Sequence, residues 1–62
     1  MNHLLASKFL KAYGSVPEDE RSQPIVIIEG KTYNWNRAYD EVNAGTELGI
    51  KIIKKMHEVG LL

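Results

Sequence analysis

Sixty-two residues make one domain, and a chain this short buries only about 60% of its unfolded surface, so a lone core is marginal. Zero cysteines exclude disulfides and thiolate zinc sites, and His3 and His57 have no metal-ligand spacing, which leaves a partner chain as the usual supplement. Eight Lys and Arg balance eight Asp and Glu, so net charge points to no strongly charged partner, and no apolar run approaches the ~20 residues of a membrane span.

A composition of 44% hydrophobic and 26% charged residues is that of an ordinary globular domain. The apolar run in MNHLLASKFLK is too short for a signal peptide and is interrupted by Lys8 and Lys11. A cytoplasmic location is expected, with no cofactor.

Residues 3–13 have helical periodicity. Leu5, Ala6, Phe9, Leu10, Ala12 and Tyr13 fall within an arc of about 160°, with Ser7, Lys11 and His3 opposite. Asn2 suits the N-cap, and Gly14 is expected to stop the helix. Residues 14–24 read as a loop bracketed by Pro17 and Pro24. Its acidic cluster, Glu18, Asp19 and Glu20, is expected to be solvated, since nothing in the sequence anchors it as a metal or catalytic site.

Residues 25–34 predict a β-hairpin turning at Glu29-Gly30. A two-residue loop sets Ile28 opposite Lys31, Ile27 opposite Thr32 and Val26 opposite Tyr33. One face then carries Val26, Ile28 and Tyr33, and the other Ile25 and Ile27. The first strand is apolar on both faces, so both are expected to be covered. Residues 35–43 predict a short helix capped by Asn34, with Trp35, Ala38, Tyr39 and Val42 facing inward.

Ala44-Gly45 breaks the chain before a longer helix over residues 47–59. Thr46 suits its N-cap, and Glu47 places a carboxylate where the helix dipole favours one. Leu48, Ile52, Ile53, Met56 and Val59 span about 140°, and Ile50, past His57, widens the apolar surface to about 200°. Gly60 is placed for a left-handed C-cap, with Leu61 folding back onto Met56. The fold class expected is therefore α+β: a small single domain of order α-β-β-α-α, with one β-hairpin packed against three helices.

Chemistry-bearing patterns are sparse. A helix-turn-helix around Gly45 wants a small residue four places before the turn and an apolar one after it, where this chain has Glu41 and Thr46. The ending IIKKMHEVGLL resembles the end of winged-helix recognition helices, which implies nucleic-acid binding. In that family the hairpin follows the helix, whereas here it precedes it. Gly45-Thr-Glu-Leu-Gly49-Ile-Lys51 lacks the Gly-Lys-Ser/Thr ending of a phosphate loop, and Gly45 and Gly49 are better explained by a helix start packed tightly on a neighbour.

Neither histidine has a nearby serine or carboxylate in a catalytic arrangement. The leading expectation is a non-enzymatic protein-protein interaction module, a homodimeric small regulator or inhibitor of a larger partner. Its interface is expected at Ile25, Ile27, Ile50, Ile53 and His57. The alternative is a nucleic-acid-binding regulator in which Lys8, Lys11, Lys51, Lys54 and Lys55 converge.

Overall fold

A computed structural model describes residues 3–62, so the Asn2 cap lies outside the described residues. The elements are α1 (His3–Ser15), a turn of 3₁₀ helix (Glu18–Glu20), β1 (Pro24–Ile28), β2 (Lys31–Asn34), α2 (Trp35–Ala44) and α3 (Glu47–Glu58). The fold is α+β, with a two-stranded antiparallel hairpin packed on the helices.

Gly14 does not stop α1, which runs on to Ser15 and ends just before Val16-Pro17. The physical stop is Pro17, whose ring disfavours helical backbone in the residue before it. The following loop is held by Arg21. Its guanidinium lies 4.2 Å from the Tyr13 ring centroid and donates from Nη2 to the Tyr13 carbonyl at 3.2 Å. The Arg21 carbonyl in turn accepts from the Asn36 N–H at 3.1 Å. The acidic side chains Glu18, Asp19 and Glu20 are exposed.

The hairpin register pairs Val26 with Tyr33, Ile27 with Thr32 and Ile28 with Lys31. Glu29 and Gly30 have φ of 52° and 81°. Two positive φ values in a two-residue loop define a type I′ turn, whose twist matches the strands. Between Pro24 and Val26 the register shifts, leaving Ile25 as a bulge. Asn34 ends β2 and caps α2, its Oδ1 accepting from the Arg37 N–H at 2.7 Å.

Seven side chains form the buried core: Phe9, Val26, Ala38, Val42, Ile52, Ile53 and Met56. Every element except the 3₁₀ turn and β2 supplies at least one. Aromatic rings dock α1: Phe9 lies 5.9 Å from Trp35 and Tyr13 stacks 4.6 Å from Tyr39. Tyr33, Trp35 and Tyr39 pack against the core, so the aromatic side chains form no exposed stacking platform. Leu10 was expected to face inward on α1, but it is 48% exposed.

α3 ends as expected at the backbone and differently at the side chain. Gly60 has a φ of 84°, its N–H bonds the His57 carbonyl, and the Leu61 N–H bonds the Met56 carbonyl. These are the two bonds of a Schellman motif. Leu62, rather than Leu61, folds back onto the core, and Leu61 stays 44% exposed.

Candidate functional site

The position of α3 is set at its first turn. A Cβ on Gly49 would lie 2.5 Å from the Glu41 carbonyl oxygen and 2.9 Å from the Val42 nitrogen. Only glycine lets the two backbones approach this closely. Thr46 serves both helices. Its N–H bonds the Glu41 carbonyl at 3.2 Å, and its Oγ1 accepts from the Gly49 N–H at 3.0 Å. That hydroxyl also donates to the Glu41 carboxylate, which receives Arg37 Nε at 3.0 Å on its other oxygen. The Thr46 hydroxyl, followed by Arg37, holds the Glu41 carboxyl below the usual glutamate range. Glu41 thus closes an αα-corner at the place where a helix-turn-helix would carry a small side chain.

With α3 fixed there, it runs antiparallel to β1. Near its start, Lys51 Nζ lies 3.6 Å from Glu29 Oε1, beyond the end of β1. Near its end, Lys55 and Val59 stand beside Pro24–Ile27. Strand and helix bound an open groove of about 540 Å³ whose floor and walls are mainly apolar. Ile27 is 62% exposed and Val59 is 56% exposed on its rim. A second groove on the other side of Ile27 is lined by Lys51, Lys54, Lys55 and Glu58.

No strand lies on the outer edge of β1 among the described residues. In a hairpin with a two-residue turn, Ile28 and Lys31 form a hydrogen-bonded pair, so Ile27 and Thr32 form a non-bonded one. The Ile27 N–H and C=O therefore point away from β2, into the open edge. Apolar side chain and unpaired backbone coincide at one residue.

The residues expected at an interface do not form one surface. Ile53 is a correction: it is 1% exposed and belongs to the core. It shares a helix strip with Gly49, and the close approach there brings α2 over that strip. Ile25, at the bulge, is partly buried against the core and also lines the groove beside Ile27. Ile27, 62% exposed, leaves the outer face of β1 uncovered. Ile50 is half-buried and His57 exposed, and neither lines the grooves beside Ile27.

The lysines are also divided. Lys8 and Lys11 line a groove between α1 and Leu61-Leu62, whereas Lys51, Lys54 and Lys55 flank Ile27. Lys51 and Lys55 stand beside Glu29 and Glu58, at 3.6 and 4.0 Å.

Among the described residues, no three His, Cys, Asp or Glu side chains cluster as metal ligands, and no helix is long and apolar enough to cross a membrane. Sequence reasoning placed Val59 on the inward arc and missed the groove it lines. The signal was available: Val59 immediately precedes Gly60, where the helix is already ending. Comparison of the chain with protein families, curated proteins and solved structures finds no match.

Proposed function

We propose that this chain is a non-enzymatic protein-interaction module, a small regulator or inhibitor that takes an extended segment of protein along the open edge of β1. One observation carries the reading: Ile27 presents an exposed isoleucine and an unpaired N–H and C=O beside a groove walled by Lys55 and Val59. Strand addition uses these elements, with main-chain bonds giving affinity and side-chain pockets giving selectivity. The separation of the lysines into two groups gives less support to a nucleic-acid-binding role. The cysteine-free composition fits a reducing cytoplasm, where we place the chain.

Ile27→Lys tests the reading, since the side chain is exposed and its replacement should leave the melt within a few degrees of wild type. A host protein retained by the immobilised wild-type chain and lost with Ile27→Lys supports strand addition here. Retention that survives the substitution moves the interaction away from β1.

A further inference from the structure

We infer that α1 is a latched lid: in the native protein it swings off α2 and α3 as a unit, and Arg21 sets how often it does so. The inference is independent of the reading of β1, since no α1 residue lines either groove beside Ile27. Burial separates α1 from the rest of the core. Among the described residues it supplies one buried side chain, Phe9, and leaves Leu4 63% and Leu10 48% exposed. Helix α3, of similar length, buries Gly49, Ile52, Ile53 and Met56. A segment with few buried apolar contacts opens at a lower free-energy cost than the whole domain.

Polar and aromatic ties hold the last turn of α1. Tyr13 stacks 4.6 Å from Tyr39, and its hydroxyl donates to Asn36 Oδ1 at 3.2 Å. Arg21 closes the latch across the loop. Its main chain is fixed to the start of α2, where its carbonyl accepts from the Asn36 N–H at 3.1 Å. The next carbonyl, that of Ser22, accepts from Asn34 Nδ2 at 3.3 Å. The Arg21 side chain reaches the other way, to the ring and the carbonyl of Tyr13, at 4.2 and 3.2 Å. One residue thus belongs to α2 by its backbone and to α1 by its guanidinium.

The closed latch is incompletely satisfied. Arg21 Nε is buried and has no hydrogen-bond partner among the described residues. A buried donor without a partner is a standing cost of the closed arrangement, and opening returns it to water. Opening also bares the sides of Trp35 and Tyr39 that Phe9 and Tyr13 cover. The close approach of α2 and α3 at Gly49 involves no α1 residue and persists in the open state.

Native-state hydrogen exchange on the full chain tests the lid. Protection of the Phe9 and Leu10 amides should lie at least tenfold below that of Ile52 and Ile53, and should depend little on denaturant. Arg21→Ala removes a cation–π contact and a hydrogen bond from the closed state alone, so α1 should exchange about tenfold faster. Arg21→Lys keeps the charge without the planar fork and should shift α1 in the same direction by less. Gly49→Ala supplies the control, because it strains a corner present with the lid open or closed. It should speed exchange in α3 and leave α1 unchanged.

One common protection for α1 and α3 in the wild type overturns the inference, since α1 then leaves only when the whole domain unfolds. So does a Gly49→Ala variant in which both helices speed up by the same factor. Exchange in α1 that ignores both Arg21 substitutions removes Arg21 as the latch. If Arg21→Ala does not fold, Arg21→Lys carries that arm.

Discussion

At the α2–α3 corner the N–H groups of Gly45, Thr46 and Gly49 all have partners, and two backbones touch across Gly49. Along β1 the Ile27 backbone faces open space and its side chain is mostly exposed. The two regions share α3, which is locked at its first turn and walls the groove with its last. A domain this small has little stability to spare. The comparison teaches that the edge can stay open because the corner is closed: rigidity concentrated at one end of α3 presents a fixed groove at the other.

The sharpest way to break the comparison is to remove what both regions lean on. Ile52 is 0% exposed in the middle of α3. Ile52→Ala should cost about 2–5 kcal/mol, as buried isoleucine truncations do, and largely unfold the chain. A melt within a few degrees of wild type would show that Ile52 does not carry the core.

Gly49→Ala acts on the corner alone. Its Cβ would meet the Glu41 carbonyl at 2.5 Å, and that backbone cannot swing aside as a side chain can. A cost of about 1–3 kcal/mol is expected, in the range of overpacking. The groove lies at the other end of α3, so any folded variant should hold Ile27 as before. An unchanged or raised melting temperature would mean that the helices separate freely and the corner is not tight.

Glu29→Asn should act in the opposite direction. Glu29 adopts a φ of 52°, which costs most L-residues about 1–2 kcal/mol and costs asparagine less. A gain of about 0.5–1 kcal/mol is expected, raising the melting temperature by roughly 4–8 °C per kcal/mol. The lost partner, Lys51, is half-exposed and offsets little of this. A lowered melting temperature would show that the ion pair outweighs the backbone strain.

The smallest effect is a pH dependence at the corner. The Glu41 carboxyl is held below its ordinary range by the Thr46 hydroxyl and then Arg37. Its contribution is fully present above the ordinary glutamate pKa of about 4.3 and is lost as pH falls through the lowered folded value. Melts taken from neutral pH into acid should show a loss that Glu41→Gln lacks over that window. Parallel acid limbs in the two proteins would remove Glu41 from the account.

Much of the corner was legible in the sequence because its signals are local. Asn34 and Thr46 each bond an N–H three residues on, and the Gly45-to-Gly49 spacing marked a close helix start. The turn register followed from loop length alone. What was not legible depends on neighbours distant in sequence. The bulge at Ile25 is a register shift that alternation does not encode. Burial of Ile53 depends on how closely α2 crosses α3, and the hold of Arg21 on Tyr13 bridges the loop to a different element. Val59 was assigned inward by helical phase, which ceases to apply where the helix ends, and Leu61 by the Schellman contact, where Leu62 packs on the core instead.

The docking of α1 by its rings has a consequence for the order of folding. The hairpin and the α2–α3 corner join segments adjacent along the chain, so each closes a short loop. Phe9 and Tyr13 reach Trp35 and Tyr39 only after the whole hairpin has been made between them. Closing that longer loop costs more chain entropy and is repaid only by contacts to elements already in place. α1 is therefore expected to arrive last on folding and to leave first on unfolding. In stopped-flow experiments Tyr13→Leu should chiefly accelerate unfolding, and Val42→Ala should chiefly slow folding. Equal partition of both between the two rates would show that helix and corner form together.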